Sequence, residues 1–361
     1  MKKDFKPNAL PALIGSLPVD DHDEAVRLIF KHTPEIPLWA QLPFYKEEGM
    51  IPQFLGGFPG LITKKNKTYI DTADKRFDQE LLEFYEDYMA AEKGGESIDH
   101  ARFAMNPGTA RGFFSFLDYL QTLSKAPIAL KGQITGPVTF GLGVTDQNGK
   151  AIFYDDQLRD VAVKLIARKA KWQVEKLSPF NRPVIIFIDE PALGGFGSSA
   201  FIGISKDDVA QCFQEVIDAI HAGEGLAGIH VCSNFDWPLI LDSESDVISF
   251  DAYSFFDKLI LYPDHIKRFV ESGGIMAWGI VPTLNAGDIE KETALSLTAM
   301  WEDQAFSVAA LGIDETTLIS QSLITPSCGT GSLSLDLATK VLMLTHKVAD
   351  NIRKKYGLDG S

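Results

Sequence analysis

Short apolar runs alternate with amphipathic stretches along nearly the whole chain, and that beat limits the possible folds more than any other feature. Eight runs, 12–14, 37–41, 128–131, 184–188, 228–231, 247–250, 275–278 and 317–320, read as buried parallel strands. Between them, apolar residues recur at helical spacing: in 156–177, Leu158, Val161, Leu165, Ile166 and Trp172 share one face. Further helical patterns cover 23–31, 78–91, 205–221, 263–271, 289–311 and 334–354. Strand and helix in alternation predict parallel βα units joined by right-handed crossovers. Eight of them predict an α/β fold, a single (β/α)8 TIM barrel over residues 1–361.

The interval 44–126 is too long for one βα connection and reads as an insertion after the second strand, with a Gly/Pro-rich head at Gly56, Gly57, Pro59 and Gly60. Length alone would allow two domains, but one barrel with an insertion fills 361 residues equally well. No repeat at solenoid spacing and no low-complexity stretch argues otherwise.

Charge and composition exclude several classes of function. Lys and Arg number 34 against 49 Asp and Glu, a net charge of −15 with a pI near 4.9, so nucleic acid would be repelled over most of the surface. Uncharged runs such as 184–188 fall far short of the roughly 20 apolar residues a membrane span needs. The first residues, MKKDFKPNALPALIGS, lack the apolar core and cleavage site of a signal peptide, which makes the cytoplasm the expected location. Three cysteines, an odd number, argue against a disulfide framework.

In a barrel of this kind the chemistry sits at the carboxyl ends of the strands. Taken in order, those ends carry Gly15 and Ser16, Gln41, Gly132 and Gln133, Asp189 and Glu190, His230 and Cys232, Asp251, Gly279, and Ser327 with Cys328. The sharpest group is His230, Cys232 and Cys328. Residues i and i+2 of a strand face the same side, so His230 and Cys232 can chelate one ion, and Cys328 can reach it across the barrel mouth. One imidazole and two thiolates suit tetrahedral Zn²⁺. The bland alternative for a lone His-x-Cys is a buried structural histidine beside an inert thiol; placement at the rim favours the metal. Cys212, mid-helix between Val209 and Phe213, reads as core packing. Asp251 is open between a fourth ligand, a partner supporting His230, and the cap of the next helix. Asp189 and Glu190 are open between a functional role and local hydrogen bonding.

Six segments in matching order carry a resemblance: LIGSLP, KGQITGPVTF, FIDEPAL, GIHVCSNFDWPLIL, SDVISFDAYS and TPSCGTGSL. Over about residues 10–335 the chain resembles the catalytic C-terminal domain of the cobalamin-independent methionine synthase family, within the superfamily shared with uroporphyrinogen decarboxylase and methylcobalamin:thiol methyltransferases. The resemblance implies a (β/α)8 barrel whose zinc activates the homocysteine thiol for methylation to methionine. It implies His230, Cys232 and Cys328 as zinc ligands, Asp251 where the family has Glu, and Ile14, Gly15, Ser16 and Asp189 as contacts to the amino-acid substrate. It implies no catalytic side chain beyond the zinc ligands.

Three departures concern the methyl donor. Phe140, Gly141, Leu142 and Gly143 stand where the family has an aromatic folate platform, Gly195 stands in place of a folate-contacting acid, and 279–285 lacks the family's proton-donating His. A methylcobalamin or methyl-corrinoid donor, free or on a corrinoid protein, is therefore expected in place of methyltetrahydrofolate, because Co(I) leaves without a proton. The competing expectations are a methyltetrahydrofolate-dependent methionine synthase, a zinc-dependent coenzyme M transferase, and a zinc-binding protein without catalysis. Coenzyme M has no amine for Asp189 to meet.

Overall fold

The computed structural model describes residues 5–65, 67–92, 102–196 and 201–358. Seven strands form one parallel sheet: β1 (Leu10–Pro11), β4 (Leu130–Thr135), β5 (Val184–Asp189), β6 (Leu226–Val231), β7 (Val247–Phe250), β8 (Ile275–Val281) and β9 (Ser322–Pro326), in the order β1-β9-β8-β7-β6-β5-β4. The two remaining strands, β2 (Leu61–Lys64) and β3 (Lys67–Ile70), make an antiparallel hairpin.

Curvature of the sheet is visible in what it encloses. Alternate residues, among them Leu10, Ile185, Phe187, Val247, Ile275 and Leu323, form one interior cluster, while their neighbours pack outward against helices. Between β4 and the chain after β1 runs the segment 35–41. It makes parallel bridges Leu38 to Lys131 and Ser16 to Gln41, and no continuous ladder. Pro37 has no N–H to donate and gives only its carbonyl, which accepts from Lys131 N at 2.9 Å. The second expected strand, 37–41, is thus a bridged segment.

Three other expectations are corrected. Residues 317–320 are helical, the end of α12 (Glu315–Ser320), and the last strand is the next run, β9. The β-branched TTLI sequence suggests a strand, but Asp314 accepts from Thr317 N at 2.8 Å and caps a helix there. The single stretch 289–311 is two helices, α10 (Ala286–Lys291) and α11 (Ala294–Ala309), because Thr293 caps a new start through Ser296 N. Strand β1 also lies earlier than 12–14, with Ala12 N still donating to Ile324 O at 2.9 Å.

The other helices are α1 (His22–His32), α2 (Phe77–Glu92), α3 (Arg111–Gln121), α4 (Pro137–Gly143), α5 (Asp156–Leu177), α6 (Lys206–Ala222), α7 (Pro238–Leu241), α8 (Ala252–Leu259), α9 (Pro263–Glu271) and α13 (Leu335–Lys355). Within 44–126, α3 packs on α1 as an ordinary outer helix, and the hairpin and α2 are the added elements. They are held at Ile70 N to Thr145 O (2.9 Å), Tyr85 to Asp160 (2.8 Å) and Arg168 to Glu92 (2.7 Å). Positions 66 and 93–101 of this interval lie outside the described residues. Among the described residues no helix is long and apolar enough to cross a membrane.

Candidate metal centre and its pocket

Strand β6 presents His230 inward, and Cys232 follows two residues on at its end. The loop after β9 brings Cys328 to them, and the three ligand atoms lie within 4.8 Å of one another. That loop is tied down at several points. Thr330 N donates to Ser16 O at 3.0 Å, Gly331 N to Ser16 Oγ at 3.2 Å, and Ser327 N to Val281 O at 2.8 Å. Glycine at position 329 lets the loop pass close to Ser16 Oγ, which a Cβ there would press against. The far end of the sequence is thereby fixed to the Ile14-Gly15-Ser16 turn.

His230 is buried, and its Nδ1 lies 2.9 Å from Ser249 Oγ on β7, the residue opposite it in register. With Nδ1–H donating to that hydroxyl, Nε2 keeps its lone pair, and Nε2 is buried without a hydrogen-bond partner. A buried polar atom left unpaired calls for a ligand or an ion, and an imidazole oriented by its other nitrogen is the usual arrangement of a metal-binding histidine. A hydrogen bond from Cys328 brings the Cys232 thiol down to about 4 against the cost of burial, with help from His230, while Cys328 is pushed up. Two sulfurs and one imidazole nitrogen fit Zn²⁺.

Asp251 ends β7 fully buried. Its Oδ1 accepts from Ser254 N at 2.8 Å and caps α8, while Oδ2 has no hydrogen-bond partner. The cap accounts for one oxygen, and Asp251 lies outside the three-residue ligand set. Burial raises its carboxyl above the usual range.

The cluster opens into a pocket of about 90 Å³, which Ile14, Gly15, Ser16 and Asp189 also line. Asp189, at the end of β5, pairs in register with His230 and has a buried Oδ1 without a partner. Burial raises its carboxyl, and nearby His230 and Lys131 oppose that shift. Glu190, one residue on, turns the other way: it accepts from Val138 N (2.9 Å), Thr139 N (2.8 Å) and Thr139 Oγ (2.6 Å). Gly136 has no Cβ to keep the Glu190 carboxylate from the start of α4. Burial pushes Glu190 up to about 7 in spite of those bonds. Of the two strand-end acids, one faces the pocket and the other holds a helix.

The structure adds residues that sequence reasoning passed over. Met50, from the inserted region, lines the pocket, and its carbonyl accepts from Thr135 Oγ at 2.7 Å. No periodicity or motif marks it. Lys131 is buried inside the sheet with Nζ 4.1 Å over the Phe187 ring and no hydrogen bond, and burial brings it down to about 8. Cys212 stays apart, buried on α6 and pushed up to about 12.

No family model matches the sequence, and no curated protein matches it. Among solved structures, the chain aligns with a study of the tandem GH20 catalytic modules of the pneumococcal exo-β-D-N-acetylglucosaminidase. That match has 12% identity and a TM-score of 0.46, covering 95% of this chain and 85% of that one.

Proposed function

We propose that the chain is an enzyme, a zinc-dependent thiol methyltransferase that methylates homocysteine to methionine, with a methylcorrinoid as donor. One observation carries the reading: a buried His/Cys/Cys cluster with an unpaired imidazole nitrogen opens into the same pocket as a buried carboxylate with an unpaired oxygen. The fold that goes with it is a (β/α)8 barrel in which 35–41 serves as the eighth stave.

His230, Cys232 and Cys328 would hold the zinc, and Ser249 would fix the imidazole. Bound there with one position open, the ion supplies a thiol that is deprotonated and nucleophilic at neutral pH. Asp189 would meet the substrate ammonium, a cation that offsets the cost of burying its carboxylate. Ile14, Gly15 and Ser16 would border the amino-acid end. With a methylcorrinoid as methyl donor, the new S–CH₃ bond would form as the Co–C bond breaks and the electron pair would remain with the corrinoid, so the protein would need no proton donor at the leaving group.

The donor side supports that choice. Phe140 is buried and stacked on Phe58 at 6.4 Å, so it offers no open face to a pterin. Between β8 and α10 the loop carries Pro282, Thr283, Leu284 and Asn285. Thr283 is occupied with Ser327 Oγ at 2.9 Å and Asn285 with Gly287 N, leaving no acid to protonate a nitrogen. An anaerobic assay of zinc-loaded protein with homocysteine tests the proposal: methionine forms from methylcobalamin and not from methyltetrahydrofolate. Efficient turnover with the folate alone would overturn the donor, and turnover with neither would overturn the reaction.

A further inference from the structure

Resting on the reading of a homocysteine acceptor, we infer that Met50 is the specificity-determining residue of the thiol pocket: it closes the space beside Asp189, so that only a thiol with an unsubstituted ammonium group is admitted. Met50 lines the pocket and is still 37% exposed, so its side chain stands between the pocket and solvent. Among the described residues that line the pocket, Met50 alone comes from the 44–126 insertion. The others, such as Gln41, Asp189 and Cys328, belong to strand ends and the turns that follow them.

The backbone that carries Met50 is fixed at three points. Its own carbonyl accepts from Thr135 Oγ at 2.7 Å, and Thr135 ends β4 opposite Asp189 in register, which puts Met50 on the acid's side of the pocket. Ile51 packs on α4, where a Cβ on Gly143 would lie 2.9 Å from Ile51 Cδ1. Gln53 is buried, accepts from Gln41 Nε2 at 2.8 Å and donates to Thr109 O at 2.8 Å. A side chain on so fixed a backbone acts as a standing wall.

Size and chemistry agree with that role. The pocket, of about 90 Å³, is small beside the roughly 300–1,000 Å³ of sites that take drug-sized ligands, so bulk added to the acceptor has nowhere to go while the wall stands. Unbranched and apolar, Met50 can pack on the methylene groups of an amino thiol and has no donor for an acyl oxygen. The exclusion is steric. An N-alkyl group keeps the ammonium charge that Asp189 would meet and adds bulk only, on the side where Met50 stands.

Calorimetric titration of zinc-loaded protein with homocysteine and with N-ethylhomocysteine, whose secondary ammonium keeps its charge, tests the wall without turnover. Wild type should bind homocysteine about tenfold or more tightly than the N-ethyl compound, the scale on which a closed pocket senses an added methylene. Met50→Ala should bring the two affinities within about threefold of each other, and Met50→Leu, close in volume, should keep the wild-type ratio. Zinc content and melting temperature should hold in Met50→Ala, because the anchor to Thr135 is main chain. A wild-type ratio near one, or a ratio that Met50→Ala leaves unchanged, overturns the inference and leaves the thiol reading in place. No binding of either compound to the zinc-loaded wild type overturns the acceptor reading, and the role of Met50 with it, so the two failures are distinguishable.

Discussion

Two regions at the carboxyl edge of the same parallel sheet treat their polar groups in opposite ways. Where β5, β6 and β7 end, Asp189 Oδ1, His230 Nε2 and Asp251 Oδ2 are buried and unpaired. Around the start of α4, Glu190 is equally buried, yet its oxygens take three hydrogen bonds and Phe140 is sealed under Phe58. Desolvating a polar group without a partner costs on the order of 1–3 kcal/mol. In the first region such groups gather at neighbouring strand ends beside the His230/Cys232/Cys328 cluster, which makes it the candidate site and the second region scaffold.

The largest effect that could break this contrast is loss of metal. Cys232→Ser or Cys328→Ser should abolish stoichiometric zinc binding, while Cys212→Ser keeps it. Elemental analysis that finds full zinc in both ligand variants would remove the site.

Next come the neighbouring acids. Asp189→Asn should raise KM for homocysteine roughly 10 to 100-fold, the loss of about 1.4–2.8 kcal/mol of binding to an ammonium, with little change in melting temperature. Glu190→Ala should do the reverse, costing about 1–3 kcal/mol of stability as Val138 and Thr139 lose their acceptor. Equal effects of the two on KM would erase the distinction between site and scaffold.

Asp251 sharpens the boundary between them. Asp251→Ala should lower zinc affinity about 10 to 100-fold if its free oxygen supports the metal. It should also cost about 1 kcal/mol through loss of the α8 cap. Competition with a chelator separates the two, because only the first alters zinc affinity.

The last effect is a pH dependence, which bears on the scaffold alone. Glu190 is raised from 4.5 to about 7 in the folded chain, so folding favours its protonated form. Its contribution is complete below about 4.5 and is lost as pH rises through about 7, a swing of about 3 kcal/mol. Denaturation of wild type against Glu190→Gln across that window should show the difference shrinking with falling pH.

Much of this was legible in the sequence, and the misses have physical causes. The His-x-Cys spacing at the end of a strand places two donors on one side, and the structure brings Cys328 to them. Strands buried on both faces, such as β5, stand out as apolar runs. The run 317–320 misled because β-branched residues were outweighed by the Asp314 cap, a contest between propensity and one side chain. The segment 37–41 carries a strand's pattern but not its ladder, and Pro37 has no N–H to give one. Met50 reaches the pocket from an insertion, and no local signal tells where an insertion will fold back. Which of Asp189 and Glu190 faces the pocket could not be read from alternation alone, because the chain leaves β5 between them.

Zinc K-edge X-ray absorption on the metal-loaded protein, before and after homocysteine, tests the central claim most directly. The account predicts two sulfurs at about 2.3 Å and one imidazole nitrogen at about 2.0–2.1 Å in the free protein, and a third sulfur at about 2.3 Å once the thiol is added. A zinc shell that lacks two sulfurs at the start, or that gains none with homocysteine, would contradict it.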